Sequence, residues 1–348
     1  MSKKIFFTTI LVFGFGFGLF SFFYVQKIFF WDNTKFNQKS ATIYIKQSDS
    51  FSDLKVKLNP YLKNTQYFVL AAKKKGYNER VRSGKYIINK GMGNNEIINT
   101  LRSKSLTVNV TFNNQEIIEN LAKRISDQIE PDSIQLVESF FNSSFLKSNN
   151  LNKENLISIF IPNSYNFYWN SSADEFRNRM LSESNKFWNQ SRKRKAEKLK
   201  LTPKEVITLA SIVHKETNIK DELPIIAGVY LNRLAKNMKL QADPTVLFSI
   251  KKTSGNFDTL IRRLYYKDLK LNSPCNTYLN KGLPPGPISM PDISSIDAVL
   301  NYNNDHNFLF FVVDPHSNGR HKFSKSLREH NKKKKIYTDW LRANKIYR

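Results

Sequence analysis

The chain has a single cysteine, Cys275, among 348 residues. No disulfide can close within it, and a zinc site built from several thiolates is excluded. The lack of disulfides leaves the compartment open, because domains of this size also hold together through their cores alone. Acidic residues are scarce as well: 29 Asp and Glu stand against 55 Lys and Arg, a formal net charge of +26. Such a surplus favours an anionic partner, whether nucleic acid, acidic lipid or an anionic polymer, and says nothing about fold. Nucleic acid is the weakest of the three, since no RNP-type, zinc-finger or helix-turn-helix signature occurs. No G-x-S-x-G or phosphate-loop pattern is present. The segment His214-Lys215-Glu216-Thr217-Asn218 lacks the second histidine that a zinc protease requires. There is no internal repeat and no long low-complexity tract.

What the chain does have begins at its N-terminus. From Ile5 to Val25 it runs 21 residues without a charge, and at about 1.5 Å per residue these span about 31 Å, the hydrocarbon thickness of a bilayer. Phe29, Phe30 and Trp31 follow as an aromatic belt. The apolar stretch is long for a signal peptide and no small-x-small cleavage site follows it, so an uncleaved single-pass helix is expected. Lys3 and Lys4 favour a cytoplasmic N-terminus, with residues 1–4 as a stub, although Lys27 and Lys35 weaken the asymmetry.

Hydrophobic residues make up 40% of the chain, enough for proper cores. Residues 26–40 are polar toward their end (DNTKFNQKS) and read as a linker. Over 41–105 alternation at Ile43 and Ile45 suggests a strand. Helical spacing follows at Leu54, Leu58, Leu62, Phe68 and Leu70, then a turn into a strand at Ser83–Ile88 and a short helix from Asn94. A connecting strand-helix segment covers 106–150, with Val108 and Val110 before Ile117, Ile118 and Leu121. The largest domain covers 151–348, with a loop at Pro162 and a helix around 174–188. The basic run Arg192–Lys195 lies between that helix and the next and reads as a solvated face or linker. The fold class expected is α+β.

The most informative element starts at Thr202-Pro203-Lys204-Glu205, where threonine caps, proline takes the first helical position and glutamate returns the capping bond. An apolar stripe runs through Val206, Leu209, Ile212 and Val213, and Glu216 continues it. A carboxylate at the end of an apolar face is partly desolvated, which raises its pKa toward what a general acid needs. The competing reading is a helix that simply surfaces there. His214 is two positions away, a turn of roughly 200°, so the pair is not expected to face a common ligand.

Several motifs then occur in order. The segment Leu209 to Ile250 (LASIVHKETNIKDELPIIAGVYLNRLAKNMKLQADPTVLFSI) is followed by Asn276-Thr277-Tyr278, Gly282-Leu283-Pro284-Pro285-Gly286-Pro287-Ile288, His321-Lys322-Phe323-Ser324 and Glu329-His330-Asn331. Phe160-Ile161-Pro162-Asn163-Ser164-Tyr165 lies upstream. Together these closely resemble the endolytic murein transglycosylases, the MltG or YceG-like family, over nearly the whole chain. The resemblance implies a LysM-like module at 41–105 and a single-pass membrane enzyme with its catalytic domain outside the cytoplasm. It implies cleavage of peptidoglycan glycan strands between N-acetylmuramic acid and N-acetylglucosamine, leaving 1,6-anhydromuramyl ends. No metal or organic cofactor is implied, and penicillin-binding proteins or other peptidoglycan synthases are the expected neighbours.

The family's catalytic glutamate falls on Glu216. The first acid of its E-K-E-T segment is replaced here by His214, which puts any role of that carboxylate in doubt. Asn232, Gln241, Asp243, Thr245, Asn276 and Tyr278 are the polar groups of the matched motifs and the candidates for saccharide contacts. Each also has a structural reading, as a cap, a helix start or a core residue. Gly282 to Gly286, with paired prolines, is expected to be a rigid loop that shapes the cleft. The alternative to an enzyme is a catalytically inactive, membrane-anchored peptidoglycan-binding or scaffold protein that lost activity through His214.

Overall fold

A computed structural model of the chain describes residues 3–261 and 263–345. The first two residues of the expected stub and the last three of the expected catalytic domain lie outside the described residues. The chain divides into two compact units. One comprises the residues up to Val110 with Gln128–Pro131 and Asn166–Ser172, and the other comprises the remainder.

The first unit opens with helix α1 (Lys3–Phe29), and within it Phe7–Phe29 are long and apolar enough to cross a membrane. None of its most apolar window is buried in protein. Strand β1 (Ser40–Ile45), helices α2 (Phe51–Leu58) and α3 (Thr65–Lys74), strand β2 (Gly84–Asn89) and helix α4 (Asn94–Arg102) follow. β1 and β2 pair antiparallel, from Ser40 opposite Asn89 to Ile45 opposite Gly84. Alternation in β1 turns Ala41, Ile43 and Ile45 inward. There Ile43 and Ile45 join a core of Leu54, Leu58, Leu62, Phe68, Tyr86, Ile97 and Leu101.

The helical spacing from Leu54 to Leu70 is carried by two helices: Pro60 in a short 3-10 turn ends the first, and the Asn64 side chain caps the second by accepting from Tyr67 N at 2.9 Å. Leu70 consequently faces out. Residues 32–40 are no free linker. Asn33 and Thr34 are buried, and Asn33 donates to Asn94 Oδ1 at 2.6 Å and to the Asn64 carbonyl at 2.9 Å. Polarity marked this segment as a linker, yet the polar side chains of Asn33 and Thr34 are taken up by internal hydrogen bonds, while residues 37–40 stay exposed.

Strand β3 (Thr107–Phe112) carries the chain out of the first unit. The second unit then contains α5 (Ile118–Ser126), α6 (Ser133–Phe140) and α7 (Ser143–Ser148). Strand β4 (Asn163–Tyr168) pairs with β3, and the boundary between units passes through both strands. Beyond it lie α8 (Ala173–Phe187), α9 (Gln190–Lys198), α10 (Pro203–Glu216), α11 (Leu223–Ala235), α12 (Asp243–Ser254) and α13 (Ile293–Leu300). Strands β5 (Phe310–Val313) and β6 (His321–Ser324) and helix α14 (Leu327–Ala343) complete it. The basic run Arg192–Lys195 lies inside α9, started by the Asn189 cap on Arg192 N. The core is built by α10, α11 and α13, which pack on one another through Val206, Leu209, Ile212, Ile226, Tyr230, Ile296 and Val299. β5 and β6 form an antiparallel hairpin, Phe310 opposite Ser324 and Val313 opposite His321, with α14 packed on both strands. The architecture is α+β, with its strands in two-stranded sheets.

Candidate active site

Helix α10 forms as its sequence dictates. Thr202 accepts from Glu205 N at 3.3 Å, and Glu205 Oε2 accepts from Thr202 N at 2.7 Å, a reciprocal capping box with Pro203 at the first helical position. Val206, Leu209, Ile212 and Val213 are fully buried. Glu216 is the last residue of the helix and only partly exposed. From α11, which packs alongside, Tyr230 donates its phenolic hydrogen to Glu216 Oε1 at 2.5 Å.

The protein around this carboxyl decides its charge. Desolvation pushes the Glu216 pKa up, and the negative charge of Asp243 adds to the rise. The Tyr230 hydrogen bond and the Arg233 guanidinium oppose it by favouring the carboxylate. Burial wins, and the pKa is pushed up to about 7. The group is thus a proton donor and, once ionised, a proton acceptor at the same pH. Tyr230 itself is held far above the usual phenol range by burial and by Glu216, so it stays a donor.

Of the other expected site residues, the structure gathers some and withdraws others. Asp243 is exposed at the start of α12, and Tyr278 Oη donates to its Oδ1 at 2.6 Å. Burial, the Asp243 bond and the charge of Glu216 all raise the Tyr278 pKa, so these three side chains share one electrostatic neighbourhood. Gln241 is exposed beside them at φ +49°, a left-handed conformation uncommon outside glycine, pinned by its backbone N–H to the Thr277 carbonyl at 3.2 Å.

Asn232, Thr245 and Asn276 are committed internally. Asn232 Nδ2 donates to the carbonyls of His306 (2.9 Å) and Phe308 (3.0 Å) while its oxygen accepts from Tyr302 (3.0 Å). Thr245 is fully buried against Thr277 at 2.9 Å and donates to the Ala242 carbonyl or to Thr277. Asn276 is fully buried too. Its amide holds the carbonyls of Leu269 and Leu271, and its oxygen accepts from Tyr278 N at 2.9 Å. Thr245 and Asn276 shape the segments that carry Asp243 and Tyr278, whereas Asn232 holds the chain at His306 and Phe308, ahead of β5.

His214 Nδ1 lies 3.6 Å from Asp292 Oδ2, and burial lowers its pKa. The neighbouring Lys215 turns to Glu116, which also receives Lys251. Among the described residues no cluster of three or more His, Cys, Asp or Glu is placed to hold a metal ion.

Three groups were invisible as site residues in the sequence. Tyr230 sits in the motif Gly228-Val229-Tyr230, which reads as helix core. Arg233 is buried, donating to the carbonyls of Leu240 (2.7 Å) and Leu309 (2.6 Å), so one guanidinium ties the approach to α12 to the start of β5. Beyond the end of α10, the buried carboxylate of Glu222 accepts from the backbone N of His321 at 2.7 Å. The same carboxylate lies 2.8 Å from His321 Nδ1 and accepts from Thr217 Oγ1 at 3.4 Å. The segment following Glu216 is thereby fastened to β6. The acid-rich Asp221-Glu222 and the His321 motif were the available signals, but only tertiary structure pairs them.

The chain is similar to known proteins over most of its length. An endolytic murein transglycosylase of Bacillus subtilis is 31% identical over 301 residues, covering 81% of this chain and 80% of its own length. One from Streptococcus pneumoniae is 36% identical over 114 residues, 33% of this chain and 20% of that protein. Among solved structures, a Listeria monocytogenes protein described as YceG-like superposes with a TM-score of 0.55 at 27% identity, covering 85% of this chain and 99% of that one. The YceG-like family itself matches residues 43–336, and the chain belongs to that family.

Proposed function

We propose that the protein is an endolytic peptidoglycan lytic transglycosylase that cleaves the bond between N-acetylmuramic acid and N-acetylglucosamine and leaves 1,6-anhydromuramyl ends. The observation that carries this reading is the Glu216 carboxyl, held near a pKa of about 7 at the end of a buried helix with Tyr230 donating to it. A retaining glycosidase ordinarily needs two carboxylates, one as acid and one as nucleophile. A lyase of this kind needs one. Neutral Glu216 protonates the glycosidic oxygen as the bond to C1 breaks. The carboxylate so formed takes the proton of the muramyl 6-hydroxyl, whose oxygen attacks C1. Attack from within the same sugar gains from proximity and needs no bound water. The substrate's acetamido group stabilises the oxocarbenium-like charge in passing. On this reading Asp243, Tyr278 and Gln241 meet the saccharide, Thr245 and Asn276 hold the segments that present them, and Asn232 holds the chain at His306 and Phe308.

In the same reading α1 anchors the chain with its N-terminus in the cytoplasm and its remaining mass outside, near strands emerging from peptidoglycan synthases. The +26 charge attracts it to anionic headgroups and stem-peptide carboxylates. Cleavage there would limit glycan strand length. Mass spectrometry of fragments released from nascent peptidoglycan tests the chemistry. Anhydro ends, abolished by Glu216→Gln, are expected. Reducing ends would make it a hydrolase, and no cleavage would leave the binding-protein alternative.

A further inference from the structure

Beside the Asp243–Tyr278 pair lies a cavity of about 600 Å³. This volume falls within the range of small-molecule sites. Its walls come from α14, from the loop preceding Asp268 and from the start of α12. Tyr265 and Tyr266 line it together with Tyr278, and three cations, Arg263, Lys334 and Arg342, face it. Asp243 is the one carboxylate among its described lining residues, and Tyr278 already donates to that group. His330 also lines the cavity, stacked on Phe310 at 5.3 Å. Burial and the nearby charges of Lys334 and Arg233 depress its pKa, so it offers a neutral imidazole rather than a fourth cation.

A neutral glycan needs aromatic faces and uncharged hydrogen-bonding groups. It has no use for three cations. The muramyl sugar carries more than glycan chemistry, however, because its lactyl ether bears a peptide with free carboxylates. Resting on the proposed function above, we propose that this cavity binds the anionic stem peptide of the muramyl residue, with Lys334 and Arg342 pairing its carboxylates and the tyrosines covering its backbone. Asp243 and Tyr278 belong both to the cavity wall and to the electrostatic surroundings of Glu216. A peptide seated here would fix the muramyl ring beside the acid. The enzyme would then discriminate by peptide as well as by sugar, and strands stripped of their peptides would be poor substrates.

The test uses the full chain in detergent with two matched substrates: lipid-linked nascent strands carrying stem pentapeptides, and the same strands after amidase removal of the peptides. Wild type should cleave the peptide-bearing strands with a kcat/KM roughly tenfold higher, expressed in KM, as expected for groups that bind without entering the reaction. Lys334→Glu/Arg342→Glu, two exposed positions on α14, should raise KM on peptide-bearing strands about tenfold and erase the preference. The free pentapeptide should inhibit wild type competitively, an arm independent of how the variant folds. Equal cleavage of both substrates by wild type, or a preference that survives the double substitution, would overturn the proposal. So would a preference that follows the lipid pyrophosphate, retained on stripped lipid-linked strands and lost on released ones. Absence of cleavage on every substrate would instead strike the enzymatic reading, and binding of the free pentapeptide, measured by calorimetry, would still decide the site.

Discussion

Tyr230 and Glu216 lie fourteen residues apart on neighbouring helices and share one hydrogen bond, phenol to carboxyl. The bond favours the charged form of the acid, and the Glu216 pKa is a balance in which burial and the Asp243 charge outweigh this bond and the Arg233 charge.

That balance predicts a pH profile. The free enzyme must start with Glu216 protonated, so kcat/KM should fall about tenfold per pH unit above about 7. In Tyr230→Phe the lowering contribution is gone, and this limb should move to higher pH. A profile unchanged by the substitution would separate the tyrosine from the acid's titration.

The same group affects stability. Its pKa in the folded protein (about 7) lies above the ordinary glutamate value of 4.5, which the unfolded chain restores. Its ionisation therefore costs the native state nothing below pH 4.5 and lowers stability progressively as pH rises to about 7. Glu216→Gln removes that penalty. The variant should be more stable than wild type by about 3 kcal/mol at pH 8, given about 1.36 kcal/mol per pKa unit, and by little at pH 4. Denaturant unfolding at both pH values measures it, alongside a loss of cleavage of at least about a hundredfold.

Asn232→Ala should act on the fold more than on the sugar. It strands the carbonyls of His306 and Phe308, a cost of about 1–3 kcal/mol. A lowered Tm with kcat/KM still measurable at low temperature is expected. An unchanged Tm with a large rise in KM would make Asn232 a saccharide contact after all.

Gly286 is required by close approach, since a Cβ there would come 2.1 Å from the Glu154 carbonyl oxygen. Gly286→Ala must push backbone against backbone and should destabilise by more than about 2 kcal/mol. Thermal unfolding that matched wild type would show the loop to be more yielding than its paired prolines suggest.

The helix bearing Glu216 was legible because everything that specifies it is local: a cap, a proline, a capping glutamate and a stripe. Its placement at the end of an apolar face anticipated desolvation. The partner of the acid was not legible, since Tyr230 reads as one more core aromatic until α10 and α11 are packed together. The polar motif residues misled for a related reason. Thr245 and Asn276 look like ligand contacts by type, but both are fully buried, and burial of a polar side chain cannot be read from a sequence that does not reveal which backbone groups await it. The pattern from Leu54 to Leu70 had the right period and concealed a break, because Pro60 and Asn64 redirect the chain without interrupting the spacing.

The end of α1 has a mechanical consequence. Ile28 belongs to the core of the first unit, its carbonyl accepts from Asn94 at 2.6 Å, and Gly93 is bare where a Cβ would strike the Phe30 carbonyl oxygen. Asn33 and Thr34 are buried immediately afterwards. There is no slack between the apolar helix and the module it leads into. On the proposed topology the module cannot swing on a leash: it rides at a fixed height over the lipid, and a strand tugging on it would tilt or twist the helix in the bilayer rather than straighten a loose cord.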